Sequence, residues 1–440
     1  LTVRRVRVSL DTRRRARENT GMSGSTFQFL HAADLHLDSP LRGLARRGEI
    51  ADAFVEASRR ALENLVAAAI AEQVAFVVIA GDLYDGDWKD YATGQAFVRQ
   101  MGRLARAGIR VFVLRGNHDA ESVITKSLPL PTNVHPFSVR TVESVRIDEL
   151  GVVLHGRGFA SRSVTDNVAR QYPAAVPGWF NIGVLHTSLT GRDGHDVYAP
   201  CQLEDLQRPG YDYWALGHVH AREVVATEPF IVFPGNLQGR HARETGAKGA
   251  TLVRVVDGRV AGLEALTLDA ARFDHVALDL TGIAAPAAFE RLAREAIASA
   301  RAAADGRPLA LRLTLTGESA LHAHFSTQSA QLGEELQALA WEVGDVLIEK
   351  VRVATRGPCR APAMAAITGF DDIVAAVAAD PAFRADIARV LGELRARTPD
   401  EALHLLGLGA LDSDAADAVE AAADAVLAAV DGAGAMEPGA

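Results

Sequence analysis

Cysteine is nearly absent from this chain: Cys201 and Cys359 are the only two, far apart and without CxxC or zinc-ribbon spacing. A disulfide framework and a thiolate metal site are thereby excluded, and two reduced, buried thiols of a cytoplasmic protein are expected. Also lacking is any run of the ~18 uncharged apolar residues that a membrane helix needs. The first residues do not contain the apolar core of a secretory signal. No long basic stripe exists either, and the net charge is −9. Any contact with nucleic acid must therefore rest on local patches and bound metal.

What is present is ordinary for a globular protein: 48% hydrophobic and 23% charged over 440 residues, enough for two or three domains. Charge is distributed unevenly. Residues 1–21 hold seven arginines against Asp11 and Glu18, whereas 364–440 hold fourteen acids against four arginines. The basic start has no strong apolar period before Met22. Residues 1–25 are therefore expected to be a disordered extension, with Met22 as the usual start.

From Phe27 to about Leu268, strand-like and helix-like segments alternate. Residues 49–73 and about 90–107 read as helices ahead of AFVVIA and IRVFVL. After His135, short strands dominate. In 269–356, HVALDL, PLALRLTL and VLIEKVRV read as strands with two helical segments between them. RGPCRAPAMAA has linker composition, and the Ala- and Leu-rich remainder has helical spacing. Its acidity disfavours contact with DNA, and its apolar faces suit docking on a partner or packing on itself.

Five apolar runs end in residues that bind metals: Asp34-x-His36, Gly81-Asp82, Gly116-Asn117-His118-Asp119, His186 and Gly217-His218-Val219-His220. Loops at the carboxyl ends of strands are where open α/β sheets gather their sites. A two-metal hydrolase needs a shared carboxylate with further O and N ligands around it. Asp82 is the candidate bridge, and Gly81 allows close backbone approach. Asp34 and His36, like His218 and His220, are two apart, so an extended chain presents both on one side. With Asn117 and His186 these make seven ligands, a donor mixture suited to Mn, Fe or Zn.

His118 is the spare histidine. As a non-ligand it could stabilise developing phosphate charge or protonate the leaving oxygen, with Asp119 orienting its ring. Arg115, Arg240 and His241 are weaker candidates for contact with phosphate. His195 and Tyr198 are candidates for lining a groove, and Asp85 for the metal shell or a turn cap. His155, Trp179 and Trp214 are read as packing residues.

The ordered set resembles the calcineurin-like metallophosphoesterase superfamily over residues 27–268. Within it, DLHLDSPL, AGDLYDGDW, RGNHD and PGNLQGRH resemble SbcD-type DNA repair exonucleases of the YhaO-like branch. The resemblance implies a four-layer αββα sandwich in 26–268 and a small α/β capping domain in 269–356 that helps place DNA. A linker (357–368) and an acidic helical tail (369–440) follow. It implies two ions, usually Mn, on Asp34, His36, Asp82, Asn117, His186, His218 and His220, with His118 as the catalytic histidine. An SMC-like coiled-coil ATPase partner and a homodimer are further implications. Asp85-Gly86-Asp87 departs from the arginine-containing motif of serine/threonine phosphatases, and His36 from the DxG of purple acid phosphatases. Two other readings stay open: a small-molecule phosphatase or cyclic-nucleotide phosphodiesterase, and a catalytically silent scaffold that binds a partner.

Overall fold

A computed structural model describes residues 5–8, 26–37, 39, 54, 56–84, 91–119, 129–161, 163–189, 198–358, 370–397, 419 and 422–423. The expectations for Asp85, His195 and Cys359, and for most of the linker and the tail beyond Arg397, fall outside them.

The strands obey period 2. In β2 (Phe27–Ala32), β3 (Phe76–Ala80) and β4 (Arg110–Leu114), the residues Phe29, Phe76, Val78, Ala80, Phe112 and Leu114 enter one core cluster. Their neighbours Leu30, Ala32, Val77, Ile79, Val111 and Val113 enter another. Strands buried on both faces need this near-continuous apolar sequence, and each such side chain contributes roughly 1.5–3 kcal/mol on burial. Helix α1 (Ala57–Ala71) lays Ala61, Leu62, Leu65, Val66 and Ala69 into the second cluster. It ends where Gln73 turns left-handed (φ 49°) and Val74 N–H donates to Ala69 O. Helix α2 (Tyr91–Arg106) adds Phe97, Met101 and Leu104 to that cluster and closes on Gly108 (φ 72°) in the same manner.

Among the described residues the strands form a seven-stranded sheet, in the order β1 (Arg5–Val8), β13 (Arg259–Thr267), β12 (Gly249–Val256), β2, β3, β4 and β5 (Val134–Pro136), and a six-stranded sheet, in the order β10 (Glu223–Thr227), β11 (Phe230–Phe233), β9 (Tyr213–Gly217), β8 (Phe180–His186), β7 (Val152–Gly156) and β6 (Glu143–Ile147). Strands β2 to β5 run parallel, as do β7 (Val152–Gly156), β8 (Phe180–His186) and β9 (Tyr213–Gly217). Phe29 and Phe76 of the first sheet share a cluster with Ile182, Val184, Tyr213 and Ala215 of the second, so the sheets stack. The αββα expectation thus holds, with a thin outer layer on the second sheet. There Trp214 Nε1 donates to Leu206 O of the one-turn helix α3 (Leu203–Gln207). The expected disorder of 1–25 needs correction at Arg5–Val8: this stretch is β1, antiparallel to β13 (Arg259–Thr267), as its alternating RVRV sequence permits.

Strands β14 (Arg272–Asp279), β15 (Leu309–Glu318) and β16 (Val346–Arg356) form a third sheet in that order. Helix α4 (Pro286–Ala303) connects the first two, and α5 (His322–Thr327) with α6 (Ser329–Val343) the last two. By its contacts the chain divides into a unit of residues 1–275, 300–311 and 345–349 and a unit of 276–299, 312–344 and 350–440. The expected boundary at 268–269 lies inside the first unit. Buried Asp269 holds Arg272 (3.0 Å) and Arg307 (2.8 Å) there, and Phe273 packs edge-on against Phe54. In the second unit Phe289 and Phe325 meet at 4.7 Å, and α7 (Phe370–Ala379) and α8 (Pro381–Arg397) continue the chain as helices.

Candidate metal centre

The five clusters leave the carboxyl ends of β2, β3, β4, β8 and β9, and the backbone beyond them is unusual. Asp34 (φ 50°), His36 (41°), Asp82 (49°) and His218 (98°) all occupy the left-handed region. Such residues cost of order 1–3 kcal/mol each and persist where surrounding contacts enforce them. Here the loops after β2 and β3 run side by side. Asp34, His36 and Leu37 N–H donate to Gly81, Asp82 and Leu83 O, each at 3.0 Å. Both Asp34 oxygens accept from His218 N–H (3.1 and 3.0 Å), and Asp82 Oδ1 accepts from His118 N–H (3.0 Å).

The side chains converge. Asp34, His36, Asp82 and His186 are all buried. Asp34, His36 and His220 have ligand atoms within 4.8 Å of one another, as do His36, Asp82 and His118, and Asp34, Asp82 and His186. Asp82 Oδ2 lies 3.3 Å from His186 Nε2 and 3.7 Å from His36 Nε2, the position of a shared carboxylate. The Nε2 atoms of His36 and His220 face each other at 3.3 Å. His186 Nδ1–H donates to Ala80 O (2.9 Å), which turns Nε2 toward Asn117 Oδ1 (3.0 Å) and Asp82.

Glycine makes room for this arrangement. A Cβ on Gly81 would lie 2.2 Å from His186 Nδ1, and one on Gly116 would lie 2.2 Å from Asp82 Oδ1. Burial raises the Asp34 carboxyl, and the charge of Asp82 acts in the same direction. For Asp82, burial is outweighed by the His186 imidazole, which holds the carboxyl well below the usual range. Burial alone would lower His186, but Asp82 and Asp34 carry it up to about 9. Two buried carboxylates ringed by convergent imidazole nitrogens fit a dinuclear metal site, because divalent charge satisfies both at once.

Three of the expected site residues make contacts beyond their expected roles. His218 reaches the site through its amide on Asp34, while its ring stacks on buried Tyr198 (5.6 Å) and lies edge-on to His186. His118, read as a non-ligand, shares a potential ligand group with His36 and Asp82, and its ring meets His36 edge-on at 5.0 Å. Asp119 was expected to orient that ring. Its oxygens instead accept from the N–H groups of Leu83 (3.1 Å), Tyr84 (3.0 Å) and Gly116 (3.0 Å), and so brace the β3 and β4 loops together. Burial and the charge of Asp82 raise Asp119 to about 6.

Arg115 lines a small apolar cavity with Asp119, Tyr84 and Phe97. Arg240 is mostly buried beside His220, whereas His241 is exposed. His155 is buried between Ser144 Oγ (2.8 Å) and Asn181 Oδ1 (3.2 Å), and Trp214 is buried, so both are packing residues; Trp179 carries Arg146 over its ring at 5.1 Å. Glu244 is the residue that sequence reading missed. Its Oε1 accepts from His220 Nδ1–H (2.7 Å), and its Oε2 accepts from Asn236 Nδ2 (2.8 Å) and Arg240 N–H (2.7 Å). Burial would raise this carboxyl, but the His220 hydrogen bond and Arg240 hold it well below the usual range. The available signal was an acid three residues after His241 in GNLQGRHARE.

A family model described as calcineurin-like phosphoesterase matches residues 27–222, and one described as the middle domain of metallophosphoesterase YhaO matches 273–356. Over 294 residues the chain is 35% identical to an uncharacterised metallophosphoesterase, YhaO, from Bacillus subtilis (strain 168), covering 66% of this chain and 71% of that protein. It is 26% identical to the DNA double-strand break repair protein Mre11 of Sulfurisphaera tokodaii, covering 52% of this chain and 60% of that one. Identity to the Mre11 of Archaeoglobus fulgidus is 27%, covering 49% and 51% respectively. The chain thus spans only part of the archaeal relatives it matches.

Proposed function

The chain belongs to the YhaO type of calcineurin-like metallophosphoesterases, and on that premise we propose that it hydrolyses phosphodiester bonds in DNA as the nuclease subunit of a repair complex. The observation that carries the reading is the convergence of Asp34, His36, Asp82, His118, His186 and His220 on one buried carboxylate pair. DNA is favoured as substrate by the likeness of this domain to double-strand break repair proteins, and by Arg240 and His241 beside His220.

Asp34, His36 and His220 would hold one ion and Asn117, His186 and His218 the other, with Asp82 available to both. When bound, two divalent ions supply Lewis-acid polarisation and an acidified water, with Mn preferred and Fe or Zn compatible with these donors. The chain's own part is positioning. His186 is held in one tautomer by Ala80 O, and the His118 peptide is pinned to Asp82. His118 is half-buried beside Asp82 and His36, and its imidazole would protonate the departing oxygen. Asp119 fixes the loop that carries it.

On this reading the 273–356 module helps place the duplex. The helices over 370–397, with Ile373, Val377, Phe383 and Val390 exposed, dock an SMC-like coiled-coil ATPase in the cytoplasm, and the nuclease works as a homodimer. The test is Mn-dependent cleavage of end-labelled linear duplex, beside the His118→Ala protein and a chromogenic small diester. Cleavage of DNA by the parent alone is the expected result. Turnover of the small diester with DNA left intact, even when a cognate ATPase is supplied, would favour a small-molecule phosphodiesterase instead.

A further inference from the structure

We propose that Glu244 is a positioning residue that sets the orientation and tautomer of His220, and through it controls one of the two metal sites selectively. This rests on the dinuclear reading of the centre. His220 has two ring nitrogens with different tasks. Nε2 faces His36 Nε2 at 3.3 Å and Asp34 Oδ1 at 3.9 Å, while Nδ1 points away from the centre toward Glu244 at 2.7 Å. A carboxylate accepting the Nδ1 proton leaves the Nε2 lone pair directed at the centre and makes it more basic.

Glu244 is itself over-determined. Asn236, fully buried, donates to Oε2 and to nothing else but Gln238 O with its amide hydrogens. Arg240 N–H donates to the same oxygen. Gln238 in turn grips the chain that enters β14: its Oε1 accepts from Ala270 N–H (2.8 Å), and its Nε2 donates to Ala271 O (2.7 Å). The 236–244 segment therefore braces the carboxylate with Oε1 on His220 Nδ1 at 2.7 Å, while Arg240 Nη2 (3.5 Å) and His241 Nε2 (3.6 Å) approach the same oxygen from farther away. Glutamine cannot substitute in it. An amide offers one oxygen, whereas four N–H donors meet this carboxylate, from His220, Asn236, and the backbone and guanidinium of Arg240, so an NH₂ would face a donor.

The role is specific to one ion. His220 shares a ligand group with Asp34 and His36, and it is absent from the group of Asp34, Asp82 and His186. Loss of Glu244 should therefore weaken one metal site and spare the other. Disturbing a carboxylate behind a ligating histidine typically costs about 10–100-fold in metal affinity.

The experiment is Mn titration of the full-length protein by calorimetry and equilibrium dialysis, comparing parent, Glu244→Ala, Glu244→Gln, His220→Ala and the Glu244→Ala/His220→Ala double variant. The parent should bind two ions, and both Glu244 variants should bind one at parental affinity and the other about 10–100-fold more weakly. In the His220→Ala background, Glu244→Ala should add nothing further, because it acts through the missing ring. Glu244→Gln, which keeps the volume, carries the test should the alanine variant not fold. Equal weakening of both ions, parental affinity at both, or an additive double variant would overturn the assignment to Glu244. A parent protein that binds no divalent ion would overturn the dinuclear reading itself, and this role with it.

Discussion

Gly81→Ala and Gly108→Ala pose the same backbone problem in different surroundings. Gly108 has φ 72° and nothing within 4 Å of a new Cβ, so alanine there meets strain alone. A left-handed alanine costs roughly 1–2 kcal/mol. Gly81 has φ 104°, and its Cβ would stand 2.2 Å from Nδ1, 2.8 Å from Cγ and 3.0 Å from Cε1 of His186. The imidazole is fully buried and must move, breaking its 2.9 Å hydrogen bond to Ala80 O. Leaving that carbonyl and ring nitrogen unpaired adds about 1–3 kcal/mol. We therefore expect Gly81→Ala to destabilise by about 2–5 kcal/mol in total and Gly108→Ala by about 1–2 kcal/mol. Urea unfolding of chelator-treated protein measures both without a metal contribution. Metal analysis of the untreated proteins should then show Gly81→Ala depleted and Gly108→Ala full. Equal stability losses, or a Gly81→Ala protein that keeps both ions, would refute the claim that glycine is required to let His186 approach.

Asp119→Ala should lose roughly 3–5 kcal/mol of folding stability, since three buried amides lose their acceptor at about 1–3 kcal/mol each, with some relaxation. Unchanged stability with a reduced turnover number would return Asp119 to a chemical role. His118→Ala should keep metal and lose most turnover, whereas Asp82→Ala should lose metal. Metal depletion in His118→Ala, read by elemental analysis, would make His118 a ligand rather than an acid. Asp212 is raised by burial from 3.8 to about 6, while its Oδ2 accepts from Asn181 N–H at 2.8 Å. A raised acid stabilises the fold fully below its unfolded value and loses that contribution as pH climbs through the folded value. Parent stability should therefore fall relative to Asp212→Asn between about pH 4 and 6, by about 3 kcal/mol, with no further change above. Denaturant midpoints that stay parallel across that window would rule this out.

Much of the molecule was legible in the chain because it is encoded locally. Alternation in FQFLHA, AFVVIA and IRVFVL specified strands buried on both faces, and the i, i+4 apolar stripe of ASRRALENLVAAAIA specified the helix that covers them. Metal-binding residue types placed directly after apolar runs announced both the position of the site and its chemistry. The RVRV strand was missed because four residues pair only once β13 is beside them. Glu244 was missed for a similar reason: the acid in GNLQGRHARE is visible, but its meeting with His220, 24 residues earlier, depends on the tertiary fold. Asp119 reads locally as a neighbour of His118, yet two of its amide partners lie 35 and 36 residues back on another loop.

Local sequence dictates which atoms are available to bind a metal and at which strand ends they emerge. Side-chain chemistry and strand period act over a few residues and need no distant partner. Which of those atoms meet depends on long-range packing: the stacking of two sheets brings Asp34 to His220 and Asp82 to His186. It also decided that Asp34, His36, Asp82 and His218 adopt left-handed backbones. No residue chooses that conformation on its own propensity, and it persists where hydrogen bonds from remote loops offset its cost.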